Sequence, residues 1–406
     1  LAAPKLLIIY PIKNSSHKKL PPPIYDYIIA GAGCAGLSLL ARMMKNPFFA
    51  NKQILVIDQH AKTQNDRTWC FWETGPGFFE PIVHHRWQRL NFYSTGFSSA
   101  FNIAPYSYKM IRGADFYSHV LTQAAQRPNI TFAYGKITQC ANQNNLAYAV
   151  VNGQQYFAQY IFSSLLPPGV INSTGTSRAT TLLQHFKGWV IETPTNVFNQ
   201  AEATFMDFRV GQQAGTTFVY VLPVAPNKAL VEYTLLSPTV LPDKEYNEGL
   251  KAYISQYITT QPYTVTEEEF GVIPMTDHQF TRSDGRIIFT GTAGGQTKAS
   301  SGFTFQFIQK QTACIVKALA GGRPPLPGAA WLSKRFHLYD GILLHIISTG
   351  KMPGDAIFTR LFKKMPPATI LRFLDNETSL LQEFGIMASM PTGIFLPVAI
   401  KKIFGV

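Results

Sequence analysis

Apolar positions along this chain follow two rhythms. From residue 24, the run IYDYIIA breaks at a glycine cluster and resumes with helical spacing in LSLLARMM, and QILVID at 53–58 follows as a second short apolar run. Short apolar runs of this kind fit strands buried on both faces, and the stretch between them fits the crossover helix of a βαβ unit. DFYSHVLTQAAQ has helical spacing with Asp115 as its N-cap, and NITFAYGKITQ returns to strand. LAYAVVNGQQYFAQYIFSS predicts a hairpin turning at Asn152-Gly153 and a further strand.

From about His185 the pattern changes to strand pieces, WVIET, TFMDFRV, TFVYVLPV and ALVEYTLL, which predict an antiparallel sheet. KEYNEGLKAYISQYI reads as an amphipathic helix, and RIIFTGTAGG as a strand entering a glycine turn. Beyond Pro324 the pattern is helical and punctuated by proline. The division that follows is a tail at 1–23, an α/β nucleotide-binding domain at 24–184 plus 270–325, a β-sheet substrate domain at 185–269, and a helical region at 326–406. One residue breaks the pattern: Glu232 stands in the middle of KALVEYTLL, among Leu230, Val231, Tyr233 and Leu235. Such a carboxyl either sits on the solvent face of an edge strand or is held protonated by desolvation.

Composition sharpens this picture at three points. Of 406 residues, 46% are hydrophobic and 15% charged, with a formal net charge of +13, which excludes a disordered chain and leaves apolar surface to cover. No Lys/Arg run interleaved with aromatics marks a nucleic-acid face, so the positive charge points to an anionic membrane surface. The four cysteines lack CxxC spacing, which argues against a metal site or a disulfide framework and fits a reducing, cytoplasmic setting. The first twenty residues do not read as a signal peptide. Phe384 to Ile400, an uncharged and largely apolar stretch, contains Pro391, Gly393 and Pro397, so the chain is expected to lie on a membrane rather than cross it.

The chemistry-bearing motifs begin with Gly31, Gly33 and Gly36, a G-x-G-x-x-G between strand and helix, with Asp58 22 residues after Gly36. Strand, turn, helix, strand and acid in this order predict a dinucleotide site, the helix N-terminus facing the phosphates and Asp58 the ribose. An acid at Asp58 disfavours a 2′-phosphate. A second glycine element, IIFTGTAGGQTKASSG, places Gly291, Gly294 and Gly295 ahead of another helix and favours the longer cofactor FAD over NAD. In DRTWCFWE, Trp69, Phe71 and Trp72 read as core, and Arg67 as either a surface charge or, from its place after the second strand, a cofactor contact. Asp207 and Arg209 read as an ion pair, and Asp277 and His278 fall just before the second glycine element.

Taken together, AGAGCAGLSLL, DRTWCFW, FMDFRV, ALVEYTLLS, GVIPMTD, GTAGGQTKASSGFTF and LRFLDNETS through IMASMPTGIFL resemble the bacterial lycopene β-cyclase family from about Ile24 to Ile400. The resemblance implies a p-hydroxybenzoate hydroxylase-like flavoprotein that cyclises the ψ-ends of lycopene and γ-carotene to β-rings without net redox change. It also implies reduced FAD, with NAD(P)H as the reductant. Glu232 matches the family's essential glutamate, and Asp277 is its companion candidate near the flavin. Two departures stand out. Plant relatives carry adjacent glutamates where this chain has Glu232-Tyr233, and Thr292 follows Gly291 where many flavoproteins of this fold have aspartate. Another flavoenzyme of the same fold, a monooxygenase or polyprenoid reductase, and a non-catalytic carotenoid-binding protein are the alternatives.

Overall fold

The computed structural model describes residues 23–166, 179–325 and 331–404, the side chains of 331–333 excepted. The expected tail therefore lies outside the described residues, apart from its last position.

Alternation along the buried strands builds the first layer structure. An eight-stranded sheet carries, in order, Ser283–Asp284, Ile287–Phe289, Gln154–Ser163, Ile24–Ala30, Ile54–Asp58 and Ile130–Tyr134, with the strands Leu146–Val151 and Ile137–Gln143 branching from it. Ile29, Ile54 and Val56 point to a face covered by the helices Cys34–Lys45, Gly113–Ala124 and Phe305–Ala320. Ile28, Leu55 and Ile57 point to the other face, against Ala147, Ala149 and Val151. With both faces covered, these strands are apolar on both sides apart from Asp26 and Asp58, which is the run read from the sequence. The hairpin turns at Asn152 and Gly153, with φ of 50° and 82°, the positive pair a type I′ turn demands.

The helix at 113–124 corrects one expectation. Arg112 is its N-cap and Asp115 sits inside the first turn, where its carboxylate accepts bonds of 2.8 and 2.9 Å from the Arg112 guanidinium. The helix starts early because Gly113 N–H bonds Arg67 O at 2.6 Å, and the acid is still favourable near the N-terminal dipole.

The second sheet has seven strands in the order Thr264–Thr276, Thr181–Glu192, Lys228–Ser237, Thr216–Ala225, Glu202–Asp207, Arg89–Ser94 and Phe97–Asn102. Its last two strands come from the N-terminal part of the chain, so this sheet reaches beyond 185–269. The helix Asp243–Tyr257 covers one face through Leu250, Tyr253 and Ile254. The C-terminal helices cover much of the other: Phe358, Phe362, Ile342 and Leu371 share one core with Phe92, Phe205 and Phe208. Buried Lys298, just after the second glycine element, binds Asp340 Oδ1 at 2.6 Å and Asn376 Oδ1 at 2.9 Å, which fastens that loop to the C-terminal helices.

Candidate active site

The two glycine elements meet at the mouth of one cavity of about 450 Å³. Gly31 has φ of +108°, and a Cβ on it would fall 2.2 Å from Ser164 Oγ. A Cβ on Gly36 would lie 1.9 Å from Gly31 O, so only glycine lets the helix begin this close to its strand. Gly33 differs: nothing lies within 4 Å of where its Cβ would be, and it lines the cavity with Cys34 and Ala35. Asp58 braces the turn, its Oδ2 accepting from Ala32 N at 2.6 Å. From the other element, Gly291 (φ +59°) approaches so near that a Cβ on it would meet Ala35 Cβ at 2.9 Å. Gly294 and Gly295 complete that turn, Gly295 with φ of +73°. Arg67 lines the cavity and donates to Phe270 O at 2.9 Å. Ser301 Oγ is buried at the cavity wall without a hydrogen-bond partner among the described residues. Open space at Gly33, a helix start with no side-chain cap and an orphaned hydroxyl fit an elongated, anionic cofactor.

The far wall of this cavity is the second sheet. Along Lys228–Ser237, Ala229, Val231 and Tyr233 pack toward the helix Asp243–Tyr257, so Leu230 and Glu232 point to the opposite face and line the cavity. Glu232 is on a central strand, paired on both sides, and its remaining accessible surface faces the cavity; the solvent-edge alternative does not hold. Its Oε1 accepts from the buried Thr234 hydroxyl at 2.8 Å. Tyr220 stands opposite it on the neighbouring strand. Tyr108, Cys70 and Phe303 also line this end.

On its other side, Glu232 is in register with Gly188, and Gly188 in turn with Glu269 on Thr264–Thr276. A Cβ on Gly188 would come 2.9 Å from Glu269 Cγ and 3.0 Å from Leu230 Cδ1. The absent side chain opens the gap through which the two carboxyls meet. Burial pushes Glu232 well above the usual carboxylate range, and the charge of Glu269 pushes it further, against the opposing bond from Thr234. Burial raises Glu269 too, but bonds from Thr68 and Glu232 and the charge of Arg67 pull it back. Both carboxyls are thus held above their ordinary range, Glu232 the further, which favours the proton on Glu232. Glu269 and Gly188 are the residues the sequence reading missed; the run TEEEF at 266–270 reads locally as a solvated edge strand.

Other candidates fall elsewhere. Asp277 does not line the cavity: its carboxylate accepts from Thr180 N at 2.6 Å and pairs with Lys402 of the helix Thr392–Phe404. His278 packs edge-on against Phe280. Asp207 is fully buried, bound to Arg209 Nη2 at 2.6 Å and to the Tyr253 hydroxyl at 2.8 Å, a structural pair. Phe71 and Trp72 enter the two opposite cores, whereas Trp69 lines the cavity. Among the described residues no cluster of His, Cys, Asp and Glu could hold a metal ion.

Comparison with known proteins bears on this site. In fold, the chain is similar to a flavoprotein/dehydrogenase from Cytophaga hutchinsonii, with a TM-score of 0.62 and 12% identity over 94% of this chain and 100% of that one. It is similar also to a geranylgeranyl bacteriochlorophyll reductase-like protein from Thermoplasma acidophilum, with a TM-score of 0.59 and 11% identity over 95% and 100%. A p-nitrophenol 4-monooxygenase from Pseudomonas putida gives 0.57 and 12% over 94% and 98%. The architecture is thus that of reductase- and monooxygenase-type flavoproteins. In sequence, the chain is 27% identical to the lycopene beta-cyclase of Pantoea ananas over 275 residues, which span 63% of each chain. It is 24% identical over 392 residues to the lycopene beta-cyclase of Pseudescherichia vulneris, spanning 90% of this chain and 94% of that one. Residues 26–398 match the family model described as lycopene cyclase protein, and with nearly the whole chain inside that match, it belongs to the lycopene cyclase family.

Proposed function

We propose that this chain is a lycopene β-cyclase that binds FAD and closes the linear ends of lycopene and γ-carotene into β-rings, an isomerisation. The observation that carries the reading is Glu232, a carboxyl that burial pushes well above its ordinary range in a cavity shared with the nucleotide-binding turn. Protonating an unactivated alkene needs a strong acid where water cannot quench the cation. Glu232 gives its proton to C2 of the end group, the C5=C6 double bond attacks the cation at C1, and C6 then loses a proton. Leu222, Leu230, Phe186 and Val272 line the cavity and keep water from the cation. Tyr220 and Phe303 line it too, and their π-faces favour nearby positive charge. Gly31, Gly33, Gly36, Asp58, Arg67 and Gly291 are the residues that hold FAD, with Gly294 and Gly295 shaping the second turn. Reduced FAD, maintained by NAD(P)H, supplies negative charge beside the cation when bound.

The substrate lives in lipid, and two C-terminal helices support docking on a membrane surface. Leu381, Phe384 and Met387 on Leu380–Ser389, and Leu396, Ile400, Ile403 and Phe404 on Thr392–Phe404, are exposed at helical spacing, near exposed Lys363, Lys364 and Lys401. Among the described residues no helix is long and apolar enough to cross a membrane.

The test is anaerobic incubation of purified protein, FAD and NADPH with lycopene in liposomes, the products followed by chromatography and mass. The reading predicts β-rings at unchanged mass. A gain of hydrogen or oxygen assigns the site to a reductase or monooxygenase instead, and intact bound lycopene assigns it to a binding protein.

A further inference from the structure

The cavity wall holds a second carboxyl whose position the acid chemistry of Glu232 does not by itself require. Glu232 and Glu269 belong to strands that are not neighbours, yet both are in register with Gly188 on the strand between them. Every other residue type at 188 would place a Cβ within 2.9 Å of Glu269 Cγ. The sheet thus leaves a side-chain vacancy between two carboxyls that lie in register on either side of it. Behind Glu269 lie Thr68, which bonds it, and Arg67, which is exposed at the cavity rim.

Resting on the cyclase reading above, we propose that Glu269 is the positioning residue of the acid site, sharing a single proton with Glu232 across Gly188. The shared proton sits on Glu232, the member of the pair that lines the cavity, because Glu269 carries the compensating charge of Arg67. When Glu232 protonates C2, two facing carboxylates remain, and their repulsion draws one proton from water at the rim to restore the pair. The proton lost from C6 returns to water, so each ring takes up one proton and releases one, and no electron moves.

The other titratable groups around the pair do not compete for this proton. Tyr220, Tyr108 and Cys70 face Glu232 from their own strands, and burial raises each of them, so they stay neutral. Glu267, on the same strand as Glu269, adds a further negative charge, and Arg67 opposes it.

The experiment compares wild type, Glu269→Gln and Gly188→Ala as flavin-loaded holoenzymes, measuring ring formation from about pH 6 to pH 9. Glu269→Gln removes the neighbouring charge; Gly188→Ala keeps both carboxyls and wedges them apart. In both, the alkaline limb of the profile moves to lower pH, so the ratio of the rates at pH 8 and pH 6 falls roughly 10-fold for each unit of movement. A merely structural role lowers the rate evenly at every pH and leaves the limb in place. Profiles that superimpose on wild type, or that fall evenly without moving, overturn the proposal. Infrared titration of the Glu232 carboxyl band, identified by its loss in Glu232→Gln and so distinguished from buried Asp375, reads the pair without substrate: Glu269→Gln loses that band at lower pH than wild type. If wild type forms no rings while the band behaves as stated, the lycopene reading fails and the shared proton stands. If rings form but the band titrates alike in both proteins, the shared proton fails.

Discussion

A carboxyl held above its ordinary range by burial costs the fold stability, and the cost has a definite dependence on pH. Below the ordinary carboxylate range Glu232 is protonated in both the folded and the unfolded chain. Above it the unfolded chain releases the proton while the folded one retains it, because burial and Glu269 hold the folded value up. The folded state then binds more protons than the unfolded, so stability falls as pH rises, until Glu232 itself ionises in the fold. Glu232→Gln removes this penalty. The variant is expected to be more stable than wild type above about pH 5, by a margin that grows with up to about 1.4 kcal/mol per pH unit. Urea unfolding at several pH values measures the margin, and equal midpoints from pH 5 to pH 8 would show that Glu232 is ionised in the fold. Glu232 was visible in the sequence because it breaks an apolar alternation. Glu269 was not, because its partner lies two strands away, and the residue that joins them, Gly188, has no side chain to notice.

Elements were legible where their pattern is local. The G-x-G-x-x-G turn, the type I′ hairpin at Asn152-Gly153 and the helix Asp243–Tyr257 each carry their own instructions in spacing and turn residues. The strands Arg89–Ser94 and Phe97–Asn102 carry only half of theirs: alternation makes them strands, but which sheet they join is decided by distant partners. The C-terminal helices show the same division. Their buried faces complete the aromatic core around Phe205 and Phe208, which periodicity foretells, while the stripes of Leu381, Phe384, Ile403 and Phe404 remain outside it. Those stripes predict binding to vesicles containing anionic lipid, weakened but not abolished by high salt, since apolar insertion survives when lysine attraction is screened. Sedimentation of wild type and of Leu381→Ser/Phe384→Ser/Phe404→Ser reads this directly. Unaltered vesicle binding by the triple variant would move the contact to another surface.

At the scale of the whole molecule, two sheets face one cavity, the first bringing the glycine turns and the second an acid, with the C-terminal helices packed on the second. Lys298 with Asp340, and Lys402 with Asp277, are the charged fastenings of that arrangement. Asp277 thus has a position in assembly that its closeness in sequence to the second glycine element concealed. The fold alone is shared with a reductase-like protein and a monooxygenase, so the proposed cyclase reading rests on the acid rather than on the architecture. The most direct measurement is cyclisation of lycopene in D2O by wild type and Glu232→Gln, with the products weighed. A protonation mechanism predicts one deuterium retained in each ring formed by the wild type and no rings from the variant. Rings that carry no deuterium, or that form at the wild-type rate without Glu232, would contradict it.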